Sequence, residues 1–147
     1  MRALGVDLGT RRIGLAVSDP TGTLASPYGV IQRSGDRATD HARLAEVIAE
    51  LEVEVVVVGL PLSLSGKEGP AAQAALAEVD EIRARMTLEV LTHDERLTTV
   101  EASRALRASG ASGRARRSQR AKGVIDSAAA AVLLQSWLDG RSRRVEQ

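Results

Sequence analysis

The sequence predicts an α/β fold: one mixed five-stranded sheet, three antiparallel strands and then parallel ones, covered by helices. Three observations predict it. Short strand-like runs follow one another near the N-terminus with tight connections between them. The apolar period then changes from that of a strand to that of a helix. From there helical and valine-rich segments alternate, as right-handed crossovers between parallel strands require.

Residues 3–8 (ALGVDL) and 12–18 (RIGLAVS) read as the first two strands, parted by Gly9-Thr10-Arg11. Asp19-Pro20-Thr21-Gly22 suits a type I turn, with Asp first, Pro second and Gly fourth. A third strand is expected over residues 23–32. Leu44, Val47, Ile48 and Leu51 then fall at i, i+3, i+4 and i+7, one face of an amphipathic helix. The run VEVVVVGLPL has the continuous valines of a central strand buried on both faces. Pro70 opens a second helix, lined on one side by Ala75, Val79, Ile82 and Met86. TLEVLT supplies the fifth strand. Thr98 and Glu101 form a capping box for a third helix, ended by Gly110. Residues 110–122 (GASGRARRSQRAK) hold no apolar residue larger than Ala and are expected to form a mobile loop. A final helix is expected from Val124 to Leu138. The predicted order is β-β-β-α-β-α-β-α-α, in a single domain over residues 1–147.

Composition narrows the chemistry. With no cysteine among 147 residues, disulfides, thiolate nucleophiles and cysteine-ligated zinc are excluded. Asp7, Arg11 and Arg12 interrupt any signal-peptide pattern, and no stretch approaches the ~18 apolar residues of a membrane helix. A cytoplasmic location is the expectation. The net charge is +1, but residues 1–103 carry 10 Lys+Arg against 16 Asp+Glu, while residues 104–147 carry 10 against 3. The C-terminal part, at +7, suits a polyanion; a solvated helix face with a basic tail would give the same balance.

Three acids stand where composition alone would not put them. Asp7 interrupts the first strand, on the side of Ala3 and Gly5, whose small side chains leave space. Glu95 follows the fifth strand, in the crevice beyond strand ends where open sheets bind ligands. Asp126 lies in the first turn of an alanine-rich helix able to pack closely on the sheet. Each has a plainer use: Asp7 accepting hydrogen bonds from the Gly9-Thr10 turn, Glu95 pairing with Arg96, Asp126 facing the helix dipole. Together they suit a hard divalent cation, which takes oxygen ligands, and a pair of ions able to clamp both oxygens of a phosphodiester displacement.

ALGVDLGTRRIGLAVSD, VVVVGLPLSLSG, HDERLTTVEA and KGVIDSAAAAVLL resemble, in this order, the motifs of the YqgF-type proteins. That family is described as candidate Holliday junction resolvases and pre-16S rRNA nucleases with a ribonuclease H-like fold. The resemblance implies a nuclease using Mg²⁺ or Mn²⁺, with Asp7, Glu95 and Asp126 as metal-binding catalytic acids. It also implies a structured nucleic acid, precursor rRNA or branched DNA, as partner. Symmetric junction cutting would need two active sites, so a homodimer is among the expectations. In two places the sequence departs from the pattern. Ala129 stands one turn after Asp126, where many such nucleases carry a fourth acid, and Asp94 is the nearest substitute. Ser65 precedes Gly66 where similar sequences often have an aspartate.

Two rival readings begin from the same residues. DLGTRRIGLAV also resembles the first phosphate-binding segment of actin-like ATPases and sugar kinases, but two domains around a nucleotide cleft exceed 147 residues. A non-catalytic RNA-binding factor of ribosome assembly would share the basic surface and lack metal-dependent cleavage. For nucleic acid, Arg114, Arg116, Arg117, Arg120 and Lys122 form a run without an intervening acid, and Arg11, Arg12 and Arg96 adjoin the acidic motifs. The guanidinium fork matches phosphate. Tyr28 and Trp137 are the only aromatics, so backbone and shape recognition is expected over base stacking.

Overall fold

The computed structural model describes residues 1–60, 69–94 and 119–146, the last helix with side chains from Ile125 to Arg141. The elements are β1 (Ala3–Leu8), β2 (Arg12–Ser18), β3 (Ala25–Gln32), α1 (Arg37–Glu50), β4 (Val55–Leu60), α2 (Pro70–Arg85), β5 (Glu89–Asp94) and α3 (Gln119–Glu146). The sheet runs β3-β2-β1-β4-β5. β1 pairs antiparallel with β2, and β2 with β3; β1 and β5 both pair parallel with β4. This is the mixed sheet that the change of period predicts. The helix expected between Thr98 and Gly110 lies outside the described residues.

Strand alternation divides the core in two. Leu4, Val6, Ile13, Leu15, Val56 and Val58 face one side and pack with Leu44 and Ile48 of α1 and Val79 and Ile82 of α2. Ala3, Ala16, Val55 and Val57 face the other and pack under Ala130, Ala131, Leu134 and Leu138 of α3. β4 is buried throughout, as its valines predict. The Asp19 turn forms: the Gly22 amide donates to the Asp19 carbonyl, and Gly22 has φ +72°, which glycine adopts without strain. On the edge strand β3, Leu15 pairs with Gly29 and Ala16 with Pro27, leaving Tyr28 as a bulge. Proline, which cannot donate to the ladder, is tolerated there.

Several details differ from expectation: β3 begins at Ala25 rather than residue 23, and the last helix runs past Leu138 to Glu146. β5 begins and ends two residues later than TLEVLT, because Thr87 and Leu88 are spent on the connection from α2. On α2 the buried stripe is Ala72, Glu78, Val79 and Ile82, with Ala75 only half-buried and Met86 beyond the last helical residue. The largest difference is α3, which begins at Gln119, inside the stretch expected to be loop. Its first residues, Gln-Arg-Ala-Lys, are strong helix formers that tolerate one glycine at 123.

Candidate metal and nucleic-acid site

Asp7 sits one residue before the end of β1 and lies directly opposite Gly14 of β2. Residues opposed in an antiparallel pair point to the same face, and here that face is covered by α3. A Cβ placed on Gly14 would stand 2.3 Å from the Asp126 carbonyl oxygen and 3.2 Å from its Cβ. Glycine at 14 is therefore the condition for Asp126 to lie against the ribbon beside Asp7. Two residues back from Asp7, a Cβ on Gly5 would meet the Ala130 carbonyl oxygen and the Leu134 Cβ, each at 2.8 Å. The alanine-rich face of α3 is thus seated directly on backbone, as its composition predicts.

Because α3 begins at Gln119, Asp126 is about two turns inside the helix and not in its first turn. The helix-dipole explanation for this acid falls away with that boundary, since the dipole acts within the first turn. Its partner is instead Arg12, whose Nε donates to Asp126 Oδ2 at 2.7 Å. Both side chains keep some access to solvent.

The connection from β1 to β2 is a tight turn. The Gly9 amide donates to the carbonyls of Asp7 (3.1 Å) and Arg12 (3.0 Å), and a Cβ on Gly9 would stand 2.5 Å from the latter. This amide is satisfied by backbone and does not need the Asp7 carboxylate. Thr10 and Arg11 are exposed at the tip. An open cleft of about 780 Å³ lies beside the turn, with Arg11, Arg12, Arg33 and Arg37 in its wall.

Since β1 and β5 both run parallel to β4, their C-terminal ends share one edge of the sheet. With strands about 4.8 Å apart, the end of β5 stands ~10 Å across from that of β1. β5 stops at Asp94, and Glu95 follows it in the sequence. Glu95 and Arg96 lie outside the described residues, as do Arg114, Arg116 and Arg117; Arg120 and Lys122 are described only as backbone of α3. Within β5, His93 Nε2 lies 3.1 Å from Ser136 Oγ of α3, an interaction between strand and helix.

The sequence model of the RuvX family, described as Holliday junction resolvase, matches residues 1–140. The chain belongs to this family. It is 47% identical over 148 aligned residues to a candidate pre-16S rRNA nuclease of Rhodococcus opacus, covering 98% of this chain and 80% of that one. To the protein of the same description from Nocardia farcinica it is 46% identical, covering 96% and 79%. Among solved structures, Thermus thermophilus RuvC in complex with a Holliday junction substrate matches with TM-score 0.57 at 20% identity, covering 97% of this chain and 96% of that one. That likeness carries the ribonuclease H-like fold. Membership of the RuvX family supports a nuclease of the RuvC and YqgF type.

Does a divalent cation fit? Asp7 and Asp126 are hard oxygen donors at the sheet edge, both only partly buried, and Asp126 already draws a cation in Arg12. Among the described residues no cluster of three ligating side chains forms. The two acids therefore suit a site whose remaining donors come from beyond them.

Sequence reasoning missed a second polar cluster behind the turn. Arg33 donates through NH1 and NH2 to Glu78 (2.9 and 3.0 Å), and His41 Nε2 lies 2.8 Å from the same carboxylate. Both Glu78 and His41 are buried. The signal was present. His41 precedes Leu44 and Ile48 by three and seven residues, and Glu78 stands three after Ala75 and four before Ile82. Each is a titratable residue on an apolar helical stripe, where a buried partner is required.

Proposed function

We propose that this protein is a Mg²⁺- or Mn²⁺-dependent phosphodiesterase that cleaves structured RNA, with precursor rRNA as substrate, in the cytoplasm. The observation that carries this reading is the packing of the Asp126 backbone on Gly14, the register partner of Asp7, near the edge where β1 and β5 both end. The description of relatives 46–47% identical as candidate pre-16S rRNA nucleases favours RNA over a DNA junction.

In this reading Asp7, Glu95 and Asp126 hold the cation. A divalent ion there supplies Lewis-acid stabilisation for the charge that builds on the phosphate oxygens. Asp7, on the rigid strand, sets the position of the site. Arg12 stands beside Asp126 with donors to spare and can turn them toward an incoming phosphate. Arg11, exposed at the tip of the turn, meets the flanking backbone, and the basic run from Arg114 to Lys122 with Arg96 extends that contact.

The test is cleavage of end-labelled precursor 16S rRNA and of a four-way DNA junction in parallel, with and without Mn²⁺, by wild type and Asp7→Asn. Metal-dependent cuts in the RNA that vanish in Asp7→Asn, with folding and RNA binding retained, are expected. Cleavage of the junction alone would replace RNA by branched DNA as substrate. RNA binding without cleavage at any metal concentration would leave a ribosome-assembly factor in place of a nuclease.

A further inference from the structure

The Arg33–Glu78–His41 cluster touches the site at one point, and that point is the turn. Arg33 Nε donates to the Gly9 carbonyl at 2.8 Å, while the Arg33 amide donates to the Arg11 carbonyl at 3.0 Å. One residue thus grips both shoulders of the Gly9–Arg12 turn. Its guanidinium is in turn fixed by the two-point contact with Glu78, whose side chain is 5% exposed. Burial would raise the Glu78 carboxyl, but Arg33 and His41 outweigh it and hold it below the ordinary range, so the acceptor is a carboxylate. His41, at 1% exposure, lies against Oε2, the oxygen that also accepts from Arg33 NH1, and ties the carboxylate to α1.

We propose that Arg33 is a positioning residue for the reaction. Braced by Glu78 and His41, it fixes the turn from which Arg12 reaches Asp126. The proposal rests on the nuclease reading of Asp7 and Asp126. The chain of contacts is continuous: His41 and Arg33 on Glu78, Arg33 on the carbonyls of Gly9 and Arg11, Arg12 on Asp126. It links helices on one face of the sheet to the acids on the other. A cluster serving stability alone would need only to join α1 to α2. A guanidinium whose Nε–H is spent on the turn while its NH1 and NH2 hold Glu78 does more, because a lysine could neutralise Glu78 but could not reach two partners through a planar fork.

The experiment compares wild type with Arg33→Lys, which keeps the buried charge opposite Glu78 and loses the fork. Arg37→Ala, which removes an exposed pair with Glu81 on the same cleft, serves as control. Residue-resolved hydrogen exchange is read first. Protection of the Gly9 amide should fall by about tenfold in Arg33→Lys while β4 amides stay at wild type. Substrate affinity should stay within about twofold while kcat falls by roughly tenfold or more, because a transition-state contact is lost and not ground-state binding. Unchanged exchange at Gly9 overturns the proposal. So does exchange that rises equally across the sheet, which marks a role in stability alone. If wild type cleaves nothing, the nuclease reading fails, while the exchange data still decide whether Arg33 holds the turn.

Discussion

Gly14 carries the packing of Asp126 on the ribbon, so Gly14→Ala tests both that packing and the proposed role of Asp126. The new Cβ would start 2.3 Å from the Asp126 carbonyl oxygen and 2.7 Å from its carbonyl carbon. Carbon–oxygen contacts settle at about 3.3–3.6 Å, so α3 must move away from β2 by roughly 1 Å. These are backbone atoms in mid-helix, and no rotamer change relieves them. Overpacking of this kind costs about 1–3 kcal/mol. The restricted unfolded chain returns only about 0.4–1 kcal/mol, so destabilisation wins. For a chain of this size each kcal/mol lowers Tm by about 2–4 °C. The same displacement carries Asp126 away from Asp7, and a misplacement of about 1 Å costs on the order of 100-fold in rate. Activity should therefore fall further than stability. Thermal unfolding, Mn²⁺ titration calorimetry and cleavage should be read together, with Gly29→Ala as control, since a Cβ there meets nothing within 4 Å. A Gly14→Ala protein with wild-type Tm and wild-type Mn²⁺ affinity would refute the placement of Asp126 over the ribbon.

Three further outcomes are expected. Arg12→Gln should bind Mn²⁺ up to about fivefold more tightly, because a part-exposed pair worth about 0.2–1 kcal/mol no longer competes for Asp126, while cleavage slows; weaker Mn²⁺ binding would mean that Arg12 only orients the acid. Changing Arg114, Arg116, Arg117 and Arg120 together to Ala should flatten the salt dependence of log affinity by roughly 2–4 units if most touch phosphate, and an unchanged slope would move the nucleic-acid surface elsewhere. Asp19 accepts hydrogen bonds from the Thr21 hydroxyl and from the Leu24 and Thr23 amides, which lower its pKa from 3.8 to about 2. Its contribution to stability is present above the unfolded value and lost as pH falls through the folded one, so wild type should lose more stability than Asp19→Asn on acidification from pH 4 to pH 2, measured by urea unfolding.

Elements whose period is local were readable from sequence. The alternation in ALGVDL and RIGLAVS, the unbroken valines of β4 and the turn chemistry at Asp19 each act within a few residues, and each fold element they predict forms. The start of α3 is not legible because its first residues, Gln119, Arg120, Ala121 and Lys122, have no apolar face to register as periodic, although their propensity is helical. That Asp7 shares the roomy face of Ala3 and Gly5 is readable from the strand period. The pairing of Arg12 with Asp126 was not, since it joins residues 114 apart in sequence and depends on where α3 lands. The buried Arg33–Glu78–His41 cluster is hidden for the opposite reason: the apolar period marks the helix faces, and it does not register the polar residues that share them.

Why β1 tolerates an aspartate follows from the two faces of one sheet. On the α1 and α2 side its residues are Leu4, Val6 and Leu8, packed against large aliphatics. On the α3 side they are Ala3, Gly5 and Asp7; Ala3 packs with Ala130, Ala131, Leu134 and Leu138 of α3, and Gly5 lies against the Ala130 carbonyl and Leu134. A carboxylate at position 4 or 6, both fully buried, would enter an aliphatic core with no partner, at a cost of several kcal/mol or with its proton retained. At position 7 it is only half-buried, one residue from the end of the strand and opposite Gly14, against which the Asp126 backbone packs. Register is what keeps it there, since a slip of one residue would exchange the two faces. That slip is opposed by the four large aliphatics of β1 and β2 on the far side, Leu4, Val6, Ile13 and Leu15, each almost wholly buried. The aliphatic face is therefore what holds Asp7 on the opposite one.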